Sequence, residues 1–442
     1  MRFERACTCI ALAVMFLYEV AGAQSPPPQN PPSMSPRAQT LAQKPGAVLI
    51  TLDQAIQMAL EHNHTLQAAR TVVQQYKAEE TTANLRPNPV ILGDSDFLPV
   101  FQPSNLTADY LDNTAQWDLG VSYLFERGKK RQHRLKAAED QTAVVHSQVA
   151  DEERILTFTV ASQFISIELA ESTLELANED LKSFENTVNL AKARYKAGDI
   201  GESDLLKIQL QLLQFQTDVS AAELARAQGL SDLRQLLGYE SVGPDYDVAG
   251  SFNYQPVKGT LDDFQAQALM DRPDLQEARL GVTAAKSAYE LQKAYGKRDF
   301  TGQINYTHLA YLNDVSLFGQ MEMPIFNRNQ GEIARAGYGI SQAQQQEMSA
   351  SGQVMTDVRD AYENLRSNDK IVRLYRSGYL NEAQESRDIS AYACQRGAAN
   401  LLDFLDAERS YRSVQLGYRQ ALASYLLALE QLREAVGTRS IP

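Results

Sequence analysis

The chain has 442 residues, a formal net charge of −13 and an ordinary apolar share of 44%. The length suggests two or three domains, and the acidity argues against nucleic acid as a partner. No segment beyond the N-terminal region has the roughly 18 consecutive apolar residues of a transmembrane helix, so strands are the only means left for crossing a membrane.

Arg2 and Arg5, the apolar run Ile10 to Tyr18, and Ala21-Gly22-Ala23 before Gln24 predict a secretory signal over residues 1–23. Glu4 and Glu19 are untypical of such signals; the alternative, a membrane anchor, is opposed by the short apolar run. Cleavage removes Cys7 and Cys9 and leaves Cys394 alone, which rules out an intrachain disulfide. Neither early cysteine follows the residues usual in a lipoprotein signal. Residues 24–49, rich in Pro, Gln and Ser, predict a flexible leader.

From Thr51 the chain says everything twice. Thr51-Leu52-Asp53 returns as Thr260-Leu261-Asp262, and Leu66, Gln67, Ala69 and Arg70 return as Leu275, Gln276, Ala278 and Arg279. Later, Gly198, Asp204, Leu233 and Gly238 return as Gly397, Asp403, Leu432 and Gly437. Such a period is too long for a solenoid unit and indicates a duplicated subdomain. The first copy spans 50–238, the second 260–437; 239–259 is a linker and 438–442 a tail.

In the first copy, Thr51 and Gln54 form a capping box, and the helix they open runs to Arg86-Pro87. Residues 90–98 and 117–125 are strand candidates around a loop. In the second strand Trp117, Leu119, Val121, Tyr123 and Phe125 alternate with Asp118, Gly120 and Ser122. One unbroken helix is predicted from Lys129 to Lys196. It would be on the order of 100 Å long and needs a coiled-coil partner. After the turn 197–201, Ser203 is the expected cap of a returning helix to Leu237. The second copy predicts a helix from Thr260 to Lys297, strands 300–310 and 315–326, a long helix 331–395, and a return from Asn400 to Val436.

Each copy offers two strands, so the chain offers four, and membrane barrels begin at about eight strands. Three chains would supply twelve, wide enough for a lumen, together with six helical hairpins. At this point the sequence resembles the outer-membrane efflux protein (TolC-like) family over residues 50–437. The carriers are the duplicated Thr-Leu-Asp start, Pro324-Ile325-Phe326-Asn327-Arg328 with Gly331, the turns Tyr195-Lys196-Ala197-Gly198 and Gln395-Arg396-Gly397, and Leu401-Leu402-Asp403-Phe404-Leu405-Asp406-Ala407. The stretch 326–331 resembles the branch serving heavy-metal cation pumps.

The resemblance implies a mainly helical fold with a small β part: a homotrimer with a helical barrel in the periplasm and a twelve-stranded barrel in outer-membrane lipid. It implies a passive exit duct for solutes, metal cations or drugs, supplied by an inner-membrane pump through a periplasmic adaptor protein. It makes Tyr195, Gly198 and Gly397 the adaptor-docking tip, and Asp204, Asp403 and Asp406 aperture residues. Inward carboxylates repeated around a ring attract cations and repel anions. The plainer account of Asp204 and Asp403 is a favourable helix dipole. Related channels often hold a tyrosine and an arginine where this chain has Cys394 and Ala399, so a closing latch must differ here.

Trp117, Tyr123, Phe125, Tyr306 and Phe326 suit aromatic girdles at the membrane faces. His62 and His64 do not share a helix face, Met321 and Met323 read as barrel-facing side chains, and Asp151-Glu152-Glu153 as a solvated face. No phosphate loop, zinc spacing or catalytic triad appears, so neither a cofactor nor an enzyme is expected. The alternatives are a soluble periplasmic coiled-coil scaffold and an exit duct for protein secretion.

Overall fold

Along the first half run β1 (Val48–Ile50), α1 (Leu52–His62), α2 (His64–Ala83), β2 (Val90–Asp96), α3 (Ala108–Asn113), β3 (Gln116–Phe125), α4 (Lys130–Ala197) and α5 (Glu202–Leu236). The second half adds β4 (Tyr246–Val248), α6 (Leu261–Asp271), α7 (Pro273–Tyr295), β5 (Phe300–Leu309), β6 (Leu312–Met321), α8 (Gln330–Leu374), α9 (Leu380–Gln395) and α10 (Leu401–Val436). This computed structural model describes residues 48–250 and 252–440; the predicted signal and leader up to residue 47, with Cys7 and Cys9, lie outside them. The fold is mainly helical with a small β part, as the sequence predicts.

The repeated residues build two equivalent corners. Thr51 and Gln54 close a capping box on α1, and Thr260 and Asp263 close one on α6. Neither first helix continues as predicted: the chain bends at Asn63 and again at Arg272-Pro273. At the first bend Asn63 accepts from Leu66 N at 3.0 Å and donates to Leu236 O at 3.0 Å. At the second, Arg272 reaches Ala435 O at 3.2 Å, the matching carbonyl of the other returning helix. Gln67 and Arg70 then donate to Glu61 O and Leu60 O, and Gln276 and Arg279 to Met270 O and Leu269 O. These repeats are therefore helix-end caps. Gly238 and Gly437, with φ 84° and 86°, let the chain pass the corners: a Cβ on Gly238 would lie 2.6 Å from His62 O.

α4 is one helix of 68 residues. Its partner α5 begins at Glu202, with Gly201 as the cap residue, so Ser203 sits inside the helix and caps nothing. α8 buries Val354, Val358, Ala361, Leu365 and Val372, a heptad-like stripe that packs on α10 and α6. The predicted helix 331–395 is broken. Tyr375–Tyr379 forms a π turn in which Gly378 has φ 144°, and α9 starts beyond it. Ser377-Gly378 is the signal for this break, since serine–glycine pairs and π turns are standard sites of kinks.

Two sheets form. β1 and β4 pair in parallel, so Val48 and Leu49, placed in the leader, form a strand with Ile50, and Tyr246–Val248, placed in the linker, form its partner. The four-stranded antiparallel sheet has the order β2-β3-β5-β6 and joins the two copies through β3 and β5. β6 spans 312–321 rather than 315–326. Met323 and Phe326 therefore leave the strand, sharing no face with Met321 and joining no girdle in it; Phe326 is 91% exposed. The loop before β3 contains the short helix α3.

The acidic triplet on α4 is not merely solvated. Asp151 pairs with Arg154 at 2.8 Å and Glu153 with Arg70 at 2.7 Å. His64 pairs with Glu240 at 3.0 Å.

Candidate functional site: the amphipathic sheet and the hairpin tips

Strand register sorts the sheet into two unlike faces. Val121 lies opposite Ile304, and Ile304 opposite Leu317; Leu119 lies opposite Tyr306, and Tyr306 opposite Val315. Trp117, Tyr123, Phe125 and Phe300 share that face. These large apolar side chains lie uncovered: Leu119 is 61% exposed and Leu317 76%. The other face carries Asp94, Asp96, Asp118, Gln303, Asn305 and Thr307. There Asp118 accepts from Gln116 at 2.6 Å and from the Thr307 hydroxyl. An apolar face this size has no place in water. Ten-residue strands tilted at about 45° match the hydrocarbon thickness of a bilayer. Trp117 and Tyr306 toward one end and Tyr123, Phe125 and Phe300 toward the other flank the aliphatic row Val121, Ile304 and Leu317, the order of a membrane barrel strand. Among the described residues β2 and β6 have no outer neighbour, so the sheet has two open edges there.

The helical hairpins end far from the sheet along the chain. Gly198 (φ 86°) terminates α4, and its N–H donates to Tyr195 O at 3.0 Å; Gly397 (φ 75°) follows α9 and bonds Cys394 O at 3.1 Å. Both are left-handed turns that glycine adopts without penalty. Arg194 donates to Gln395 O at 3.4 Å and ties one turn to the other. Behind the turns Phe184 stacks on Phe215 at 4.5 Å, and Phe404 and Leu405 close the cluster. Cys394 lies at the cluster's margin, so packing stands where a latch tyrosine is usual.

Asp403 and Asp406 stand on α10 and Asp204 on α5, and the residues beside them, Leu205, Phe404 and Leu405, pack in one cluster. The first two lie three residues apart on α10 and are exposed, on the side away from Phe404 and Leu405. Asp406 pairs with Arg409 at 3.3 Å. Asp204, in the first turn of α5, pairs with Lys207 at 3.3 Å. Tyr195 is exposed.

Sequence reasoning missed the carboxylates buried higher in the helices. Burial pushes Glu168 up to about 7 and, with Asp247 adding to it against Arg226, Glu171 also up to about 7. Their signal is an acidic residue at an apolar position, as in Phe164-Ile165-Ser166-Ile167-Glu168. Glu168 predicts a pH effect of definite sign. The unfolded chain ionises near the ordinary glutamate value while the folded one holds its proton to about 7. Stability therefore falls as pH rises through that window and is fully retained below it. Glu168→Gln should leave stability unchanged at about pH 4 and raise it by roughly 2–3 kcal/mol at about pH 8, read by urea unfolding.

Duplicated helical hairpins joined to an amphipathic, open-edged sheet define a class: a membrane-barrel subunit. The chain belongs to the outer membrane efflux protein family, whose model matches residues 55–239 and 265–438. It is similar to the cobalt-zinc-cadmium resistance protein CzcC of Cupriavidus metallidurans, with 22% identity over 88% of this chain and 90% of that protein. It is also similar to the cation efflux system protein CusC of Escherichia coli K12, at 24% identity over 80% and 79%. A solved structure of CusC superposes with a TM-score of 0.73 over 93% of this chain and 99% of the other, at 20% identity. The outer membrane protein VceC of Vibrio cholerae gives 0.70 over 88% and 96%, at 18% identity. Members of the family work with periplasmic adaptors and inner-membrane pumps.

Proposed function

We propose that three copies of this chain form one duct. Three four-stranded sheets, joined edge to edge through β2 and β6, close a twelve-stranded barrel whose apolar face meets outer-membrane lipid. The two repeats, 50–238 and 260–437, each give one hairpin per copy, and six hairpins make the periplasmic tube. Residues 1–23 export the chain and are removed. The observation that carries this reading is the apolar face of a sheet that, among the described residues, is uncovered and has two unpaired edges: four strands of one chain cannot close a ring.

Tyr195, Gly198 and Gly397 form the tip that docks the adaptor, and the pump loads solute through it. Asp204, Asp403 and Asp406, repeated around the ring, make the narrowest part cation-attracting. Cations are the favoured cargo class, because the relatives above are named for cation efflux and cobalt, zinc and cadmium resistance.

Purified protein in planar bilayers tests this. Native channels should conduct and favour cations, and Asp403→Lys with Asp406→Lys should lower the cation-to-anion permeability ratio severalfold without changing assembly. Unaltered selectivity in that variant would remove the aperture assignment. A monomer that stays in solution without detergent would remove the duct.

A further inference from the structure

The chain is acidic overall, yet residues 127–134 hold Arg127, Lys129, Lys130, Arg131 and Arg134 and no acid. This run lies where β3 passes into α4, next to the aromatic end of the apolar face at Tyr123, Phe125 and Phe300. A basic run is most often a solvated patch, so its partners decide the matter. Two of its cations serve the fold: Lys130 pairs with Asp299 at 2.7 Å and Arg134 with Glu126 at 2.7 Å. The side chains of Lys129 and Arg131 have no ion pair or hydrogen bond among the described residues, and neither has that of Arg86 beyond the end of α2.

Those three free cations line one cavity of about 400 Å³, together with Tyr123, Leu124 and Phe125. The cavity has a structural cause. β2 begins at Val90, opposite Ser122, so the last residues of β3 have no strand beside them on that side. Of the charged residues in its wall, Glu126 is neutralised by Arg134 and Lys130 by Asp299. Arg86, Lys129 and Arg131 therefore leave the wall with an excess of positive charge. The duplication shows that this is no general feature of such a junction. In the second copy Arg298 pairs with Glu322 at 3.0 Å, Arg328 donates to Pro324 O at 3.1 Å, and Arg335 pairs with Glu332 at 2.7 Å.

We propose that this cavity holds the phosphate of an anionic phospholipid of the inner leaflet, with its acyl chains lying along the apolar face beyond Tyr123 and Phe125. The proposal rests on the reading that this face meets lipid, and deepens it by naming which lipid is retained and where. Two observations select the occupant. The wall is cationic, and guanidiniums with a lysine bind phosphate oxygens by charge-assisted hydrogen bonds. The same wall is continuous with the aromatic end of the membrane face, on the side where the strands enter the helices. A free phosphate uses only the first of these features. A zwitterionic lipid brings its own ammonium toward three unpaired cations and gains less. Each chain carries one such site, so a duct of three copies retains three lipids at the level where barrel meets helices.

The test uses the full-length protein reconstituted in phosphatidylcholine vesicles. These contain a trace of phosphatidylglycerol or of phosphatidylcholine, spin-labelled on an acyl chain. Electron paramagnetic resonance separates lipid held at the protein from free bilayer lipid. The native protein should retain labelled phosphatidylglycerol severalfold over labelled phosphatidylcholine. Arg86→Gln with Lys129→Gln and Arg131→Gln should bring that ratio close to one. Arg131→Gln alone should lower it part of the way, and decides the matter if the triple variant fails to insert. Lys182→Gln with Lys192→Gln and Lys370→Gln removes the same charge from exposed helical positions and should keep the native ratio. Unlabelled phosphatidylglycerol should displace the labelled lipid, whereas inorganic phosphate at matched ionic strength should not. A native ratio near one, a triple variant that keeps the native ratio, or equal displacement by inorganic phosphate overturns the lipid site while leaving the membrane face intact. Failure to retain either labelled lipid would remove the membrane reading itself.

Discussion

Val121→Arg combined with Ile304→Arg should keep the protein out of the outer membrane. The two residues face each other across β3 and β5 in the aliphatic middle of the exposed face, and both are at least half exposed, with nothing among the described residues to cover them. An arginine on the lipid side of a barrel strand costs about 2–4 kcal/mol at mid-depth. Two such residues in each of three copies would cost an assembly roughly 12–24 kcal/mol, more than the stability margin of an ordinary domain. Helical packing should survive, because the substituted positions touch none of the four helical core clusters. The variant should therefore accumulate as periplasmic or aggregated chains of normal helical content, with the outer-membrane fraction from density-gradient flotation close to empty. Gln303→Arg is the matched control: it neighbours Ile304 on the same strand but lies on the polar face, and it should insert normally. Equal insertion of both variants would mean that the exposed face does not meet lipid.

Much of this arrangement is legible in the residues. Period-two alternation from Trp117 to Phe125 predicts a strand with one apolar face, and the absence of proline from 130 to 197 allows the single long helix. Gly198 and Gly397 mark both tips because a left-handed turn leaves a plain chemical trace. What escaped depends on tertiary partners. Asn63 reads as an ordinary polar residue inside a helix until Leu236 O is seen beside it. Ser203 is a good cap by type, yet the backbone turns into α5 at Gly201 and the side chain arrives too late. The three-residue strands β1 and β4 are too short to show a period and exist only because they pair with each other. Asp403 and Asp406 could be named from the chain as aperture candidates only. The burial of Asp180 and Glu408 could not be read, since nothing local distinguishes them from solvated helix acids.

The duplication also shows what the second copy does differently. Equivalent corners meet equivalent carbonyls, Leu236 O in one and Ala435 O in the other. The first copy does this with a neutral amide and the second with a buried guanidinium. The returning hairpins differ too: α4 runs without interruption to its tip, while α8 and α9 are parted at Gly378. Two copies of one plan thus give a continuous strut beside a jointed one.

Arg272→Ala should be the most damaging single change in the helical part. Arg272 is 4% exposed and follows α6 directly, one residue before Pro273 starts α7. Its Nε and Nη2 donate to Asp274 at 2.9 and 2.5 Å, and its Nη1 donates to Asp357 on α8 at 3.0 Å and to Ala435 O at 3.2 Å. One side chain thereby fixes the corner to α8 and to the last turn of α10. Removing it takes the only cation in an ion pair with Asp274 and Asp357 among the described residues, leaves them Leu275 N and Gln353 as donors, and takes a donor from a helix-end carbonyl. Loss of one partner of a buried ion pair costs about 3–5 kcal/mol. The matching change Asn63→Ala removes only a neutral cap and should cost about 1–2 kcal/mol. Arg272→Lys should recover little, because one ammonium cannot reproduce the planar, bidentate fork on Asp274. Arg272→Met with Asp274→Asn and Asp357→Asn should recover much of the loss, since no unpaired charge then remains. Urea unfolding followed by far-ultraviolet circular dichroism ranks the four. If Arg272→Ala proves no worse than Asn63→Ala, the guanidinium does not hold the corner, and the charge in the second copy has some other reason to be there.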